Sequence, residues 1–166
     1  PERDALMQRR CVLARGMERA LVEDEFELHY QAIVNLQHDT ICGVEALVRW
    51  RHPERGLVSP AEFVPIAEEN GIIIPLGEWV LRRACVDAAR WPSNIKVAVN
   101  LSPVQLMNQK LTQVVISALE KSGLPARRLE LEITEAVFLK DSEATVAPLH
   151  RPSALGVQIE ADDFGT

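Results

Sequence analysis

The spacing of apolar and polar residues changes along the chain, and these changes predict its elements. Apolar side chains recur at helical spacing over residues 4–23, which predicts a helix. Apolar and polar residues then alternate over 26–34, as expected for a strand. After a polar turn, the apolar run at 40–50 predicts a second strand, close enough to the first to form a hairpin.

From the second strand onward, predicted helices and strands alternate. The sequence Ser59-Pro60-Ala61-Glu62 predicts a helix start, with serine as N-cap, proline at the first position and Glu62 closing a capping box. Gly71 ends this helix, and residues 72–75 form an apolar connector. Further helices are predicted at 77–91, 109–122 and 142–155, Ser102-Pro103-Val104-Gln105 is predicted to open a short helix, and further strands are predicted at 95–100, 129–134 and 156–161. This alternation is typical of parallel βα units.

Composition narrows the possible environments and partners. The net charge of −6 argues against a DNA-binding surface. The chain contains no apolar run of about 18 residues, so we expect no membrane segment in it. Its charged N-terminus does not match a signal peptide. The odd, widely spaced cysteines predict no disulfide framework. We expect reduced, mostly buried thiols in a cytoplasmic protein.

One acidic residue lies inside the apolar strand at 43–50. A buried carboxylate without a partner is costly, so Glu45 requires a compensating interaction. The candidates are a metal ion, a buried cationic side chain, or a place at a strand end that faces a cleft.

The other predicted strands also end on oxygen donors. With Glu45, these donors are Asn100, Glu132, Glu135, Asp162 and Asp163. In a parallel barrel the carboxyl ends of the strands converge on one face, and hard oxygen ligands suit Mg²⁺ or Mn²⁺. Taken singly, such residues are most often turn formers, helix caps or solvated acids. The adjacent pair Asp162 and Asp163 would repel without a cation, so the whole set favours a metal site.

Two basic side chains near Glu45 have open roles. Arg49 follows Glu45 by four residues, and its guanidinium suits a phosphate oxygen. An ion pair with Glu45 or a neighbouring residue is the alternative. His52 lies in a basic loop between Arg51 and Arg55 and is predicted to be a surface histidine rather than a metal ligand.

Six motifs extend along the chain from Tyr30 to Thr166. The motifs are Tyr30-Gln31-x-Ile33-Val34, Glu45-Ala46-Leu47 with the following Val-Arg-Trp-Arg-His-Pro, Ser59-Pro60-Ala61-Glu62-Phe63-Val64-Pro65, Asn100-Leu101-Ser102, Glu132-Ile133-Thr134-Glu135 and Asp162-Asp163-Phe164-Gly165-Thr166. In their sequences and in their order, they resemble the motifs of one known family, the EAL-domain cyclic di-GMP phosphodiesterases.

The resemblance implies an α/β fold, a TIM-like barrel of EAL type whose first strand is antiparallel to the others. It implies hydrolysis of one phosphodiester of cyclic di-GMP to the linear dinucleotide pGpG, with two Mg²⁺ or Mn²⁺ ions. It assigns catalytic roles to Glu45, Asp162 and Asp163. The implied metal ligands are Glu45, Asn100, Glu132, Asp162 and Asp163.

The resemblance also assigns residues to the substrate. Arg49 would hold a phosphate, Gln31 and Leu47 would contact a guanine, and Glu135 would anchor a neighbouring loop. The chain departs from the family pattern in three ways. It stops at the fifth strand, before the family's lysine and further glutamate. Ala32 stands where proline is usual. The segment before Asp162 is irregular, with Pro148 and Pro152 in a predicted helix.

These observations lead to a set of expectations for the whole chain. Residues 1–23 are expected to be a linker helix and residues 24–166 an incomplete EAL barrel, truncated after about the fifth strand. The intact protein is expected to be an enzyme, and the truncated chain to be inactive. The alternative is a non-catalytic module that binds cyclic di-GMP or a protein. Open sheet edges predict a homodimer or other self-association. An upstream sensory or GGDEF-type domain is expected in the parent protein.

Overall fold

The computed structural model describes residues 2–135 and 146–162, with the backbone alone for Asp162. These residues form six strands and six α-helices. The strands are β1 (Phe26–Asn35), β2 (Thr40–His52), β3 (Gly56–Val58), β4 (Lys96–Asn100), β5 (Leu129–Thr134) and β6 (Gln158–Asp162). The helices are α1 (Glu2–Val22), α2 (Pro60–Asn70), α3 (Ile73–Ala88), α4 (Pro103–Leu106), α5 (Leu111–Ser122) and α6 (His150–Leu155).

All six strands belong to one mixed sheet, in the order β1-β2-β4-β5-β6, with β3 paired to the end of β2. Strand β2 is antiparallel to β1 and β3, whereas β2, β4, β5 and β6 run parallel to one another. Strands β1 and β6 form the two edges, so the sheet made by the described residues is open. This topology confirms the predicted α/β fold, an incomplete barrel with an antiparallel first strand.

The two faces of the sheet have opposite character because side chains alternate along each strand. The face toward the helices carries the apolar residues and is buried. Its fully buried members on the parallel strands are Val97, Val99, Leu129, Leu131 and Ile133. Helices α3 and α5 cover these residues with their own apolar sides. The opposite face, which we call the inner face, carries the polar residues.

Helix α1 packs into the same core through its second half. Leu13, Met17 and Ala20 are buried there. Gly16 brings the helix close to β2, because a Cβ atom at this position would lie 3.1 Å from the ring of Trp50. The boundary between a linker helix and the domain after residue 23 stays a prediction. No helix in the described ranges combines the length and apolarity needed to cross a membrane.

Three predicted elements differ from the structure. Helix α3 begins at Ile73, so the expected connector forms its first turn. Pro75 fits there because the first N–H groups of a helix have no partner within it. The expected helix at 142–155 is described only in part: α6 begins at His150 after a 3₁₀ turn at Ala147–Leu149, and residues 136–145 lie outside the described range. Strand β3 begins where the predicted loop ends and occupies a segment before Ser59 for which the sequence predicts no element.

The predicted start of α2 is confirmed, but the capping box is not. Ser59 accepts a hydrogen bond from the Ala61 N–H at 3.3 Å, and Pro60 follows it. Glu62 instead forms ion pairs with Arg9 of α1 at 2.5 Å and with Arg55 at 3.9 Å. A tertiary contact has therefore replaced the local one that the spacing predicted.

The predictions for His52 and for two cysteines are wrong. His52 is only 7% exposed, and its Nδ1 accepts hydrogen bonds from the backbone N–H groups of Glu54 and Arg55 at 3.1 and 3.2 Å. The histidine thus closes the turn between β2 and β3. Cys11 and Cys42 are exposed, and only Cys85 is buried, where burial raises the pKa of its thiol to about 12.

Candidate functional site

The pairing of the strands determines which side chains share the inner face. Gln31 of β1 is the register partner of Glu45, and Glu45 is the partner of Ala98 on β4. Asn100, two residues after Ala98, is the partner of Glu132 on β5. Because strand residues two apart point to the same side, Gln31, Glu45, Asn100 and Glu132 all belong to the inner face.

The first contact of the site joins two predicted metal ligands. The side-chain Nδ2 of Asn100 donates a hydrogen bond to Oε2 of Glu45 at 3.1 Å. Glu45 is half-buried and Asn100 is exposed. The carboxylate expected to be costly in an apolar strand is therefore hydrogen-bonded and reachable from solvent.

The neighbouring strands continue the site. Leu101, directly after Asn100, donates its N–H to the backbone oxygen of Glu132 at 2.8 Å, which joins the ends of β4 and β5. Glu135 directly follows β5. Asp162 is the register partner of Thr134 at the end of β6. The side chain of Asp162, and Asp163 as a whole, lie outside the described residues.

The predicted substrate residues lie along β1 and β2. Leu47 and Arg49 follow Glu45 at two-residue steps, so all three share the inner face. The Arg49 guanidinium donates to the backbone oxygen of Val48 at 3.1 Å. Within the described part of the chain, Arg49 forms no ion pair, so the alternative pairing with Glu45 is not observed there.

The donor types suit a hard divalent cation. Glu45, Asn100 and Glu132 offer carboxylate and amide oxygens, which are the usual ligands of Mg²⁺ and Mn²⁺ rather than of Zn²⁺. Among the residues that the structure describes, no three His, Cys, Asp or Glu side chains form a cluster able to hold a metal ion. The described donors fit such an ion chemically, and the predicted set includes two aspartates whose side chains are not described.

A second group of charged and polar side chains lies toward the N-terminal ends of β4, β5 and β6 on the inner face. Lys96 begins β4, and its Nζ donates to Oε1 of Gln158 at 3.0 Å. Glu130 of β5 is half-buried beside it. Burial raises the pKa of the Glu130 carboxyl, the charge of Glu160 raises this pKa further, and Lys96 acts against both. The inner face therefore carries charged and polar side chains near the starts of these strands as well as at their ends.

The outer face anchors the strand that carries Gln31. The Tyr30 hydroxyl donates to Oδ2 of Asp87 on α3 at 2.6 Å, and its ring meets Trp91 edge-on at 4.8 Å. Burial and the Asp87 contact raise the pKa of Tyr30 above its usual range, so the hydroxyl stays protonated as a donor. The alternation of residues therefore holds Gln31 toward the inner face.

Sequence comparison connects this geometry to known proteins. The profile of the EAL domain family matches residues 14–166. A signaling protein of Caulobacter vibrioides is 48% identical over 165 residues, which cover 99% of this chain and 20% of that protein. The bifunctional diguanylate cyclase/cyclic di-GMP phosphodiesterase MucR of Pseudomonas aeruginosa is 39% identical over 167 residues, which cover 98% of this chain and 24% of MucR.

Structural comparison agrees with the sequence match. The solved MucR phosphodiesterase in complex with cyclic di-GMP aligns with a TM-score of 0.87 and 40% identity, covering 93% of this chain and 64% of that one. The chain thus spans about a fifth to a quarter of the length of the curated relatives described here. Because the family profile matches nearly all of the chain and the fold agrees, the predicted resemblance is confirmed: the chain belongs to the EAL domain family.

Proposed function

We propose that the protein containing this chain hydrolyses cyclic di-GMP to pGpG in a reaction that requires Mg²⁺ or Mn²⁺. The observation that carries this proposal is the contact between Asn100 and Glu45, with Glu132 as the register partner of Asn100. Three oxygen donors from three parallel strands share one face there. The MucR complex supports cyclic di-GMP as the ligand, because MucR is similar over nearly the whole chain.

The proposed ligands are the donors at the strand ends. They are Glu45, Asn100, Glu132, Asp162 and Asp163. Two divalent ions, when bound, would supply Lewis acidity at the phosphoryl oxygen and at the attacking water. The side chains themselves fix where the reacting phosphodiester lies. The hydrogen bond from Asn100 orients the Glu45 carboxylate, so that less reordering is needed when the site fills.

The remaining residues of the face are proposed to bind the substrate. Arg49 pairs its guanidinium with a phosphate oxygen, a role supported by the lack of an ion pair among the described residues. Gln31 and Leu47 contact a guanine from the two antiparallel strands. Glu135, which follows β5, anchors a neighbouring loop.

We further propose that the chain of 166 residues does not turn over substrate by itself. The sheet of the described residues is open between β1 and β6, so solvent reaches the inner face. Water at the site weakens each electrostatic interaction with the phosphodiester. A complete barrel wall would exclude this water and add its own side chains.

The experiment compares the full-length protein with the 166-residue chain. Each is incubated with cyclic di-GMP and Mn²⁺, and the formation of pGpG is followed by ion-pair chromatography. The full-length protein is expected to form pGpG, to stop after addition of EDTA and to recover with excess Mn²⁺. The chain alone is expected to form none. Product from the chain alone would contradict its proposed inactivity.

The same experiment distinguishes hydrolysis from the alternative function, that of a non-catalytic module. Such a module would bind cyclic di-GMP in a calorimetric titration without forming pGpG at any metal concentration. No observation in the described residues favours it over hydrolysis.

We infer a cytoplasmic location, because a cyclic dinucleotide messenger acts there. A GGDEF-type domain in the parent is supported by the similarity to MucR, a bifunctional diguanylate cyclase/cyclic di-GMP phosphodiesterase.

A further inference from the structure

The turn after β4 carries Asn100 into the site and is hydrogen-bonded to neighbouring elements. Leu101 donates its N–H to the Glu132 backbone oxygen at 2.8 Å, which ties the turn to β5. Ser102 donates its N–H to Oε1 of Gln105 on α4 at 2.9 Å, as part of a capping box. The backbone of the turn is therefore fixed on two sides without any charged group.

A third bond connects the turn to α2. The Ser102 hydroxyl donates to Oε2 of Glu68 at 2.6 Å, and the Ser102 Oγ atom accepts from the Val104 N–H at 3.2 Å. A hydroxyl has a single hydrogen to donate, so the Glu68 carboxylate determines its direction. The contact is half-buried and joins residues 34 apart in sequence. A charged acceptor at this distance makes one of the stronger hydrogen bonds in a protein.

Asn100 depends on this turn for its position. Its side chain is exposed, so packing does not hold the carboxamide in one rotamer. What places the carboxamide against Glu45 is the backbone of β4 and of the turn that follows. A bond that limits the motion of Ser102 therefore also limits the motion of Asn100, two residues earlier.

We propose that Glu68 is a positioning residue for the site: its carboxylate holds Ser102 and thereby keeps Asn100 in contact with Glu45. The inference rests on the proposed function, because the benefit of holding Asn100 lies in metal and substrate binding. Some residues orient a metal ligand without binding the metal themselves. Their replacement commonly lowers the metal affinity by about tenfold or more. Glu68 acts here through Ser102 and does not touch the reacting groups.

The fold is expected to survive the loss of Glu68. Gln105 packs directly on α3, because a Cβ atom on Gly77 would lie only 1.8 Å from its Nε2. The bond from Ser102 N–H to Gln105 is thus secured by a tight contact that does not involve Glu68. Replacement of Glu68 should loosen the turn without unfolding it.

The test uses the full-length protein with Glu68→Ala, Glu68→Gln and the control Glu69→Ala. The control removes the same charge from the next residue, which is exposed and paired with Arg10. Mn²⁺ affinity is measured by electron paramagnetic resonance titration, together with kcat and KM for cyclic di-GMP. Glu68→Ala is expected to weaken Mn²⁺ binding and to lower kcat by about tenfold each, with KM little changed.

The conservative variant separates hydrogen bonding from charge. Glu68→Gln keeps an acceptor oxygen for Ser102 and is expected to restore most of both losses, while Glu69→Ala matches the parent. Ser102→Ala should cause a loss similar to that of Glu68→Ala, and the double variant should lose no more than either. Melting temperatures of all variants verify that they are folded.

Several outcomes overturn the proposal. They are equal Mn²⁺ binding in Glu68→Ala and Glu69→Ala, no rescue by Glu68→Gln, or additive losses in the double variant. If the unmutated protein forms no pGpG, the proposed function fails, but the Mn²⁺ titration still decides the role of Glu68. Absence of Mn²⁺ binding by the unmutated protein would overturn both.

Discussion

At the scale of single residues, the least expected feature is a buried arginine that directly precedes β5. Arg128 is only 5% exposed, and its guanidinium donates to the backbone oxygens of Ala88, Pro92 and Ile95 at 2.8, 3.0 and 3.0 Å. Ala88 is the last residue of α3, where carbonyl groups have no partner within the helix. The positive charge of Arg128 also interacts favourably with the negative, C-terminal end of the dipole of α3. Arg128 therefore joins α3 to the strands that carry Asn100 and Glu132.

Replacement of this arginine should destabilise the chain strongly. Arg128→Ala removes the donor from the buried carbonyl group of Ala88 and from the partly buried bonds to Pro92 and Ile95, and we expect a loss of about 3 kcal/mol in the free energy of unfolding. Arg127→Ala is the matched control, because Arg127 is exposed and adjacent. Chemical denaturation of both variants measures the difference. Equal losses in the two variants would show that the buried network contributes nothing.

Glu130 predicts a pH dependence of stability. Its pKa is raised by burial and by Glu160, so the folded state holds a proton there more tightly than the unfolded state. Stability from this group is present below the unfolded pKa and is lost as the pH rises through the raised folded value. Glu130→Gln removes the titration. We expect this variant to be more stable than the parent at neutral pH, with the difference vanishing below about pH 4.

Thermal melts between acidic and neutral pH test this expectation. Glu120→Gln is the control, because Glu120 is an exposed glutamate on α5. Its stability relative to the parent should show no comparable dependence on pH. A Glu130→Gln variant whose advantage grows toward acidic pH would contradict the sign of the shift.

At the scale of elements, helix α1 is the one whose role is least evident from the sequence. Its second half is buried, with Leu13 only 1% exposed, while Leu6 in the first half is 59% exposed. Both leucines lie on similar sides of the helix, two turns apart. The first half of the helix therefore extends beyond the core, and only its second half packs against the core.

The same substitution at these two leucines should have unequal effects. Leu13→Ala opens a cavity in the core, and we expect it to cost about 3 kcal/mol in the free energy of unfolding. Leu6→Ala removes an exposed side chain and should cost less than about 0.5 kcal/mol. Denaturant titrations of both variants provide the measurement. Similar costs would mean that α1 is not part of the cooperative core.

Elements that depend on local spacing were predictable, and those that depend on distant partners were not. The strands around Glu45, Asn100 and Glu132 follow from alternation and end as expected, because burial of one face requires that period. The burial of His52 and the ion pair of Glu62 with Arg9 do not follow from local spacing, because both depend on α1, which passes close to His52 at Gly16. The same applies to Glu68, whose contact with Ser102 joins two helices that are distant in sequence.

At the scale of the whole molecule, the open sheet predicts self-association. Among the described residues, β1 and β6 are the edges of the sheet, and a strand at an edge presents backbone groups to which another strand can pair. The turn between β1 and β2 also exposes apolar side chains, including Val34, Leu36 and Ile41. We expect the 166-residue chain to form dimers or larger species as its concentration rises, measured by size-exclusion chromatography with light scattering. A monomer at all concentrations would contradict this.

The site is a property of the whole molecule, because its predicted donors come from four strands and from a residue that follows β6. The described residues account for Glu45, Asn100 and Glu132 by register and hydrogen bonding. The aspartate pair and the far side of the barrel decide whether these donors hold metal ions. The family match and the shared inner face support one site that all of them build.

The most direct test compares two glutamates on the same face of the sheet. Initial rates of pGpG formation from cyclic di-GMP are measured for the full-length protein and its Glu45→Gln and Glu130→Gln variants, at saturating Mn²⁺. Glu45→Gln is expected to lower the rate by at least about a hundredfold, because a proposed metal ligand is weakened. Glu130→Gln, which lies in the same register row as Glu45 but is separated from it by Ala98 of β4 and is not one of the proposed donors, should keep the parental rate. A Glu45→Gln variant as active as Glu130→Gln would contradict the assignment of the site.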